Sequence, residues 1–131
     1  EFEDFLLSLH VPVVCIGNQV SGKITTVQVN EMVATMDAVK HIVSKDYEKI
    51  VFVCPPLEMK ETQNTYTHEQ RELGFRAAMG MYPDVEMNVI GRENFLQDVQ
   101  SVCKDGLNKK TAFLCSGENW GLEMLWGCIQ M

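Results

Sequence analysis

The sequence predicts an α/β fold, a three-layer arrangement with a mainly parallel sheet and helices on both faces. Three observations predict it. Ile50, Val51, Phe52, Val53 and Cys54 form a continuous apolar run, the pattern of a central parallel strand buried on both faces. Thr111, Ala112, Phe113, Leu114 and Cys115 read as another buried strand. Beyond residue 30, helical and strand periods alternate, which implies right-handed βαβ crossovers.

Each element has its own signal. Phe2, Phe5, Leu6 and Leu9 recur at helical spacing, predicting a short amphipathic helix over residues 2–9. Residues 11–16 read as a strand, with Pro12 near its start, where a missing N–H costs least. Residues 17–23 are a polar turn, and residues 25–29 are β-branched and partly alternating, a second strand. These two strands meet with no helix between them, which reads as a crossing between two sheets or subdomains. Asn30 is placed to cap a helix with Val33, Met36, Val39, Ile42 and Val43 on its apolar face, ending near Asp46. After strand 50–54 come a Pro-Pro stop, a polar loop, and a helix over residues 66–81 closed by Pro83. Residues 85–90 form a strand with Gly91 as its turn. Phe95, Val99, Val102 and Cys103 line one face of a helix ended by Gly106. After strand 111–115, Ser116 and Gly117 turn into a last helix from about Asn119.

The bulk numbers narrow the class. A chain of 131 residues is one domain with room for a real core. Its 46% hydrophobic and 22% charged residues are ordinary for a soluble globular protein. No apolar run approaches a bilayer span and no signal peptide is visible, so no membrane partner is expected. A net charge of −7 argues against this chain alone gripping a phosphate backbone. Cys15, Cys54, Cys103, Cys115 and Cys128 are odd in number and lack a CxxC pair. That is scattered use as small apolar residues, which fits a reducing cytosol. The chain starts at Glu1 without an initiator Met and ends at Met131 inside a helical pattern, so more chain is expected on both sides.

No convincing catalytic constellation emerges. Residues 17–23 follow a strand and read GxxxxGK, like a phosphate loop. That motif needs Ser or Thr next and then a helix; here Ile24 and a β-branched strand follow. Cys115, Ser116, Gly117 and Glu118 sit at a strand-to-helix turn, where nucleophile elbows occur, without the GxSxG spacing. His10, His41 and His68 show no partner pattern, and no His/Cys cluster has metal-ligand spacing, so no cofactor or metal is expected. A solvated or structural role is the simpler reading of each histidine. The loop after strand 50–54 leaves its C-terminal end, where open α/β sheets place ligands, and Arg71 lies in the first turns of the following helix. Arg71 has two readings: a solvated residue paired with a neighbouring Glu, which position alone favours, or a clamp whose fixed fork of donors suits hydroxyls or carboxylates. Trp120, at a helix start on the ligand edge, is placed to stack on a sugar, whereas Trp126 is expected to pack in a core.

The residue order also resembles a known family. Val11-Pro12-Val13-Val14-Cys15-Ile16-Gly17 resembles the IPVV-x-I-(G/D) strand of LacI/GalR-type transcriptional regulators. Val29-Asn30-Glu31-x-x-Ala34 stands where that family has V-D-N-x-x-G, and Lys40 to Val53 is similar to EHLI-x-x-G-H/Y-x-x-I-x-F-I. Arg71-Glu72-Leu73-Gly74-Phe75 matches R-x-x-G-F, and Thr111 to Leu122 resembles TAI-x-C-x-N-D…A-x-G. Each motif alone is weak; five in register are fairly specific.

The resemblance implies a periplasmic-binding-protein-like effector sensor that closes over a small molecule, usually a sugar or related metabolite. Residues 1–17 would be the end of its first effector-binding subdomain, and residues 18–131 a second one truncated at its C-terminus. DNA would be bound only through an N-terminal helix-turn-helix head that is missing here, and a cytoplasmic homodimer without enzymatic activity is implied. The alternative is a sugar-binding protein of a transport system with the same fold. Carried over by position, Arg71 falls on the family's effector-binding Arg and Thr67 on a polar ligand-side position. Gly17 stands where many members use a ligand-binding Asp, so it supplies no carboxylate. Val29 stands where a pocket-lining aromatic is common. Gly117 and Glu118 replace the Asn and Asp of the N-D pair. The loop between residues 55 and 66 would be a pocket rim.

Overall fold

The computed structural model describes residues 2–17, 19–54, 65–91, 95–106 and 108–129. The expected rim at residues 55–64 and the chain end at Met131 lie outside the described residues. The chain divides into two compact units, Glu1–Asn30 and Glu31–Met131.

The first unit holds helix α1 (Phe2–Ser8) and strands β1 (Val14–Ile16) and β2 (Thr25–Val27). β1 and β2 pair in parallel, Val14 against Thr25 through Ile16 against Val27. The turn between them therefore connects two strands of one sheet, which corrects the expected crossing between sheets. The Gly17 N–H extends the pairing, donating to the Val27 carbonyl at 2.9 Å, and its φ of 98° is a conformation that suits glycine. β1 starts three residues later than expected. Pro12 offers no ladder N–H, and His10 just before it turns at φ 51°. Among the described residues of this unit, Ile24 is the buried apolar one. The phosphate-loop reading fails here: β2 follows the loop where a helix is required. Glu3 also accepts from Ser21 Oγ at 2.5 Å and lies 3.8 Å from Lys23 Nζ, so the polar groups of this turn face a carboxylate.

The second unit is the predicted three-layer sandwich. Its elements are α2 (Glu31–Val43), β3 (Lys49–Val53), α3 (Tyr66–Met79), β4 (Glu86–Ile90), α4 (Phe95–Gly106), β5 (Thr111–Cys115) and α5 (Glu118–Ile129). The sheet order is β4-β3-β5, all parallel. All five β3 residues are buried, as a central strand covered on both faces must be. Side chains alternate across a strand, and the two cores follow that period of two. Ile50, Phe52 and Cys54 pack with Val39 of α2 and Phe75, Ala78 and Met79 of α3. Val51 and Val53 pack with Val99 and Val102 of α4, with Trp120, Met124 and Cys128 of α5 against them.

Several boundaries and faces differ from expectation. β5 is half-buried throughout, not buried, because it is an edge strand. On α2, Val33 is exposed while Thr35 is buried, its hydroxyl donating to the Glu31 carbonyl at 2.8 Å. α3 ends at Met79, and the N–H groups of Gly80, Met81 and Tyr82 close its last turn by bonds to Arg76, Ala78 and Met79 carbonyls. α5 starts at Glu118. Trp126 is 63% exposed and not in a core; Trp120, Met124 and Cys128 recur every fourth residue and take the inward face, leaving Trp126 on the outer one. The Phe95 side chain lies outside the described residues.

Two helices cross closely at Gly74. A Cβ there would overlap the Met32 carbonyl oxygen, so glycine lets the α2 and α3 backbones approach. At the other end of the sheet, buried Lys49 is matched by Glu86 at 2.8 Å, and Lys109 reaches the same carboxylate at 2.7 Å. Hydrogen bonds from Lys109 and Lys49 hold the Glu86 carboxyl down at about 2.

Candidate functional site

The three strands end in step, Val53 beside Ile90 and Cys115. At that C-terminal edge, the Ser116 N–H donates to the Val53 carbonyl at 2.8 Å, and Cys54 N–H to Ile90 at 2.9 Å. Gly91, at φ 142°, passes so close that a Cβ would overlap the Cys54 carbonyl. Parallel strands leave their loops and helix starts here, so polar side chains from three elements converge.

Arg71 projects from the second turn of α3. Its Nε donates to Glu31 Oε2 at 2.8 Å, and its Nη1 donates to the Ser116 carbonyl. Glu31 is the first residue of α2. The partner of Arg71 is thus a carboxylate from a different helix, not a neighbour on its own; the local pair on α3 is Arg76 with Glu72, at 2.6 Å. The Arg71 and Glu31 side chains are 30% and 21% exposed, so both ions keep contact with solvent. His68, one turn earlier on α3, shares a hydrogen bond of 3.1 Å between Nδ1 and Ser116 Oγ. Burial, and then the Arg71 guanidinium, push the His68 pKa below its usual value, with Glu31 opposing. Both effects favour the uncharged imidazole.

Beside this polar cluster lies a cavity of about 160 Å³. Ala34, Thr35 and Ala38 of α2 form one wall, Phe52, Leu114 and Cys115 the apolar floor, and Glu31, Arg71 and Ser116 the polar end. An apolar floor with a few converging polar groups is the composition of small-molecule sites. Ser116 and His68 superficially resemble a nucleophile and base, but Ser116 is 2% exposed and its oxygens are engaged. The enclosed hydroxyl orients His68, and the Ser116 carbonyl orients Arg71. The Cys115 thiol, pushed up by burial, is not an activated nucleophile either. Among the described residues no group of His, Cys, Asp and Glu could hold a metal, and no helix is long and apolar enough to cross a membrane.

The sequence-predicted residues are placed as follows. Arg71 is at the polar end of the cavity. Thr67 is half-buried in the first turn of α3, between Tyr66 and His68. Gly117 follows Ser116, and a Cβ on it would touch His68 Cε1 and Trp120 Cδ1, each at 3.5 Å. Glu118 is exposed at the start of α5. Gly17 and Val29 belong to the first unit, where Val29 is exposed. The sequence gives Glu31 no site role, and it leaves His68 and Ser116 without a partner. Glu31 and His68 each open a helix at the end of a strand connection, and that position was the available signal.

The chain matches no protein-family model and no curated protein. Solved structures do match it. A probable maltose operon transcriptional repressor from Staphylococcus aureus superposes with a TM-score of 0.80 at 16% identity, over 98% of this chain and 46% of that one. The Cra transcriptional dual regulator from Pseudomonas putida, in complex with fructose 1-phosphate, gives 0.70 at 16% identity, covering 98% and 47%. A LacI-family regulator from Enterococcus faecalis with bound ribose gives 0.69 at 15%, covering 98% and 45%. The chain spans a little under half the length of these structures. At such identities the likeness establishes the fold, which is that of LacI-family transcriptional regulators over this span. The sequence resemblance is borne out at that level.

Proposed function

We propose that this chain is part of the effector-binding region of a LacI/GalR-type transcriptional regulator, and that it binds a small polyhydroxyl effector, a sugar or close relative, at the C-terminal edge of its second unit. One observation carries the reading: Arg71, matched by sequence to the family's effector Arg, stands at the polar end of a cavity beside the strand ends. Its fold neighbours include regulators holding fructose 1-phosphate and ribose. In this reading Arg71 donates to ligand hydroxyls, and Thr67 and the Gly117–Glu118 turn border the ligand. No bond is made or broken. Effector binding favours one closure state of a cytoplasmic homodimer and so alters DNA binding by a separate helix-turn-helix head.

The test is calorimetric titration of the intact protein with neutral sugars, beside Arg71→Ala. The variant is expected to bind at least tenfold more weakly, a loss of about 1.4 kcal/mol. Unchanged affinity removes Arg71 from the site. The transport-protein alternative has the same fold and cavity to support it; loss of a sequence-specific gel shift on adding sugar to the intact protein separates the two, since a transport protein shifts no DNA.

A further inference from the structure

The fold neighbours hold both neutral and phosphorylated sugars, so the fold does not set the charge of the ligand. The residues at the cavity's polar end do. Arg71 is the cation there, and its Nε is bound to the Glu31 carboxylate at 2.8 Å. Nη1 is committed to the Ser116 carbonyl. The cation is thus matched by an anion of equal charge that lines the same cavity. His68, one turn earlier on α3, hydrogen-bonds Ser116 Oγ at 3.1 Å, and burial and then the Arg71 charge disfavour its cationic form. Among the described residues, this polar end carries no net charge.

The consequences for a ligand follow from the groups. A hydroxyl both donates and accepts, so a polyol can donate to Glu31 and accept from free N–H positions of Arg71 without separating the pair. A phosphate or carboxylate only accepts. To reach Arg71 it must sit against Glu31, like charge on like charge, or expel Glu31 from the guanidinium and strip a partly buried ion of its partner. Both routes cost affinity. The close α2–α3 crossing at Gly74 and Met32 fixes the Glu31 backbone one residue away from the contact, which holds the carboxylate within reach of Arg71 at 2.8 Å.

Resting on the sugar-site reading above, we infer that Glu31 is a specificity-determining residue which, by neutralising Arg71 inside the cavity, makes this site select uncharged polyhydroxyl ligands over their phosphorylated counterparts.

The experiment titrates the intact protein with matched pairs: ribose and ribose 5-phosphate, fructose and fructose 1-phosphate, glucose and glucose 6-phosphate. The neutral member of the binding pair is expected to bind at least tenfold tighter. Glu31→Gln, which keeps shape and removes charge, narrows that gap by at least tenfold, while Glu31→Asp, which keeps the charge, preserves it. A phosphorylated member that binds as well as or better than its neutral partner, or a preference untouched by Glu31→Gln, overturns the inference. If Arg71→Ala weakens both members of that pair, the site itself still stands. Failure of all six compounds to bind, or affinities unaltered by Arg71→Ala, overturns the site reading and the inference together.

Discussion

Arg71 is in the first turns of its helix, where the sequence puts it, yet its meaning changed once its partner was known. Nothing in the order of residues links it to Glu31, forty positions away. The same holds for Cys54. As a sequence residue it ends an apolar strand; in the fold its thiol donates to Glu72 Oε2 at 3.7 Å within a buried cluster. Burial, and then the Glu72 carboxylate, push the thiol up to about 12 from 9.0. A group whose pKa is raised on folding stabilises fully below its unfolded value, and that contribution is lost as pH rises through the folded one. Wild-type stability relative to Cys54→Ala is therefore expected to be constant below pH 9 and to fall between 9 and about 12. Urea midpoints of the two proteins across that range check it; a constant difference sinks the claim.

At the scale of elements, the α2–α3 pair carries the site. α3 supplies Phe75, stacked on Phe52 at 4.8 Å and 14°, and this anchors the helix on the sheet. One position earlier, Gly74 admits the Met32 carbonyl. The R-x-x-G-F motif thus combines an Arg at the polar end of the cavity, a contact that needs no side chain, and an anchoring ring. Gly74→Ala is expected to force the helices apart. Overpacking of this kind typically costs about 1–3 kcal/mol, so the urea midpoint should drop by that equivalent. The same variant should loosen the Arg71–Glu31 pair and weaken binding of the preferred sugar. Full stability in Gly74→Ala would show that the crossing has slack.

At the scale of the molecule, the charge of −7 argues against this chain alone gripping a phosphate backbone. Phosphate-backbone affinity comes from neutralising phosphates with Lys and Arg. Here Lys49 and Lys109 are spent on Glu86, and Arg71 on Glu31. The 131-residue chain alone is expected to give no sequence-specific gel shift at physiological salt; a specific shift would overturn the assignment of DNA binding to a separate head.

By itself the sequence determined the layers. Apolar runs at residues 50–54 and 111–115, with helical periods between, are local signals set by a repeat of two or 3.6 residues, and they held. Motif order carried the family resemblance for the same reason. Edges and partners were not legible. β5 shares the apolar character of β3 yet is half-buried, because strand order, not composition, makes one central. Trp126 faces out because Trp120, Met124 and Cys128 claim the inner face. Glu31, His68 and Ser116 meet Arg71 because three strands end in register and two helices cross at a glycine. Charge neutralisation depends on distance in space, and distance along the chain does not report it.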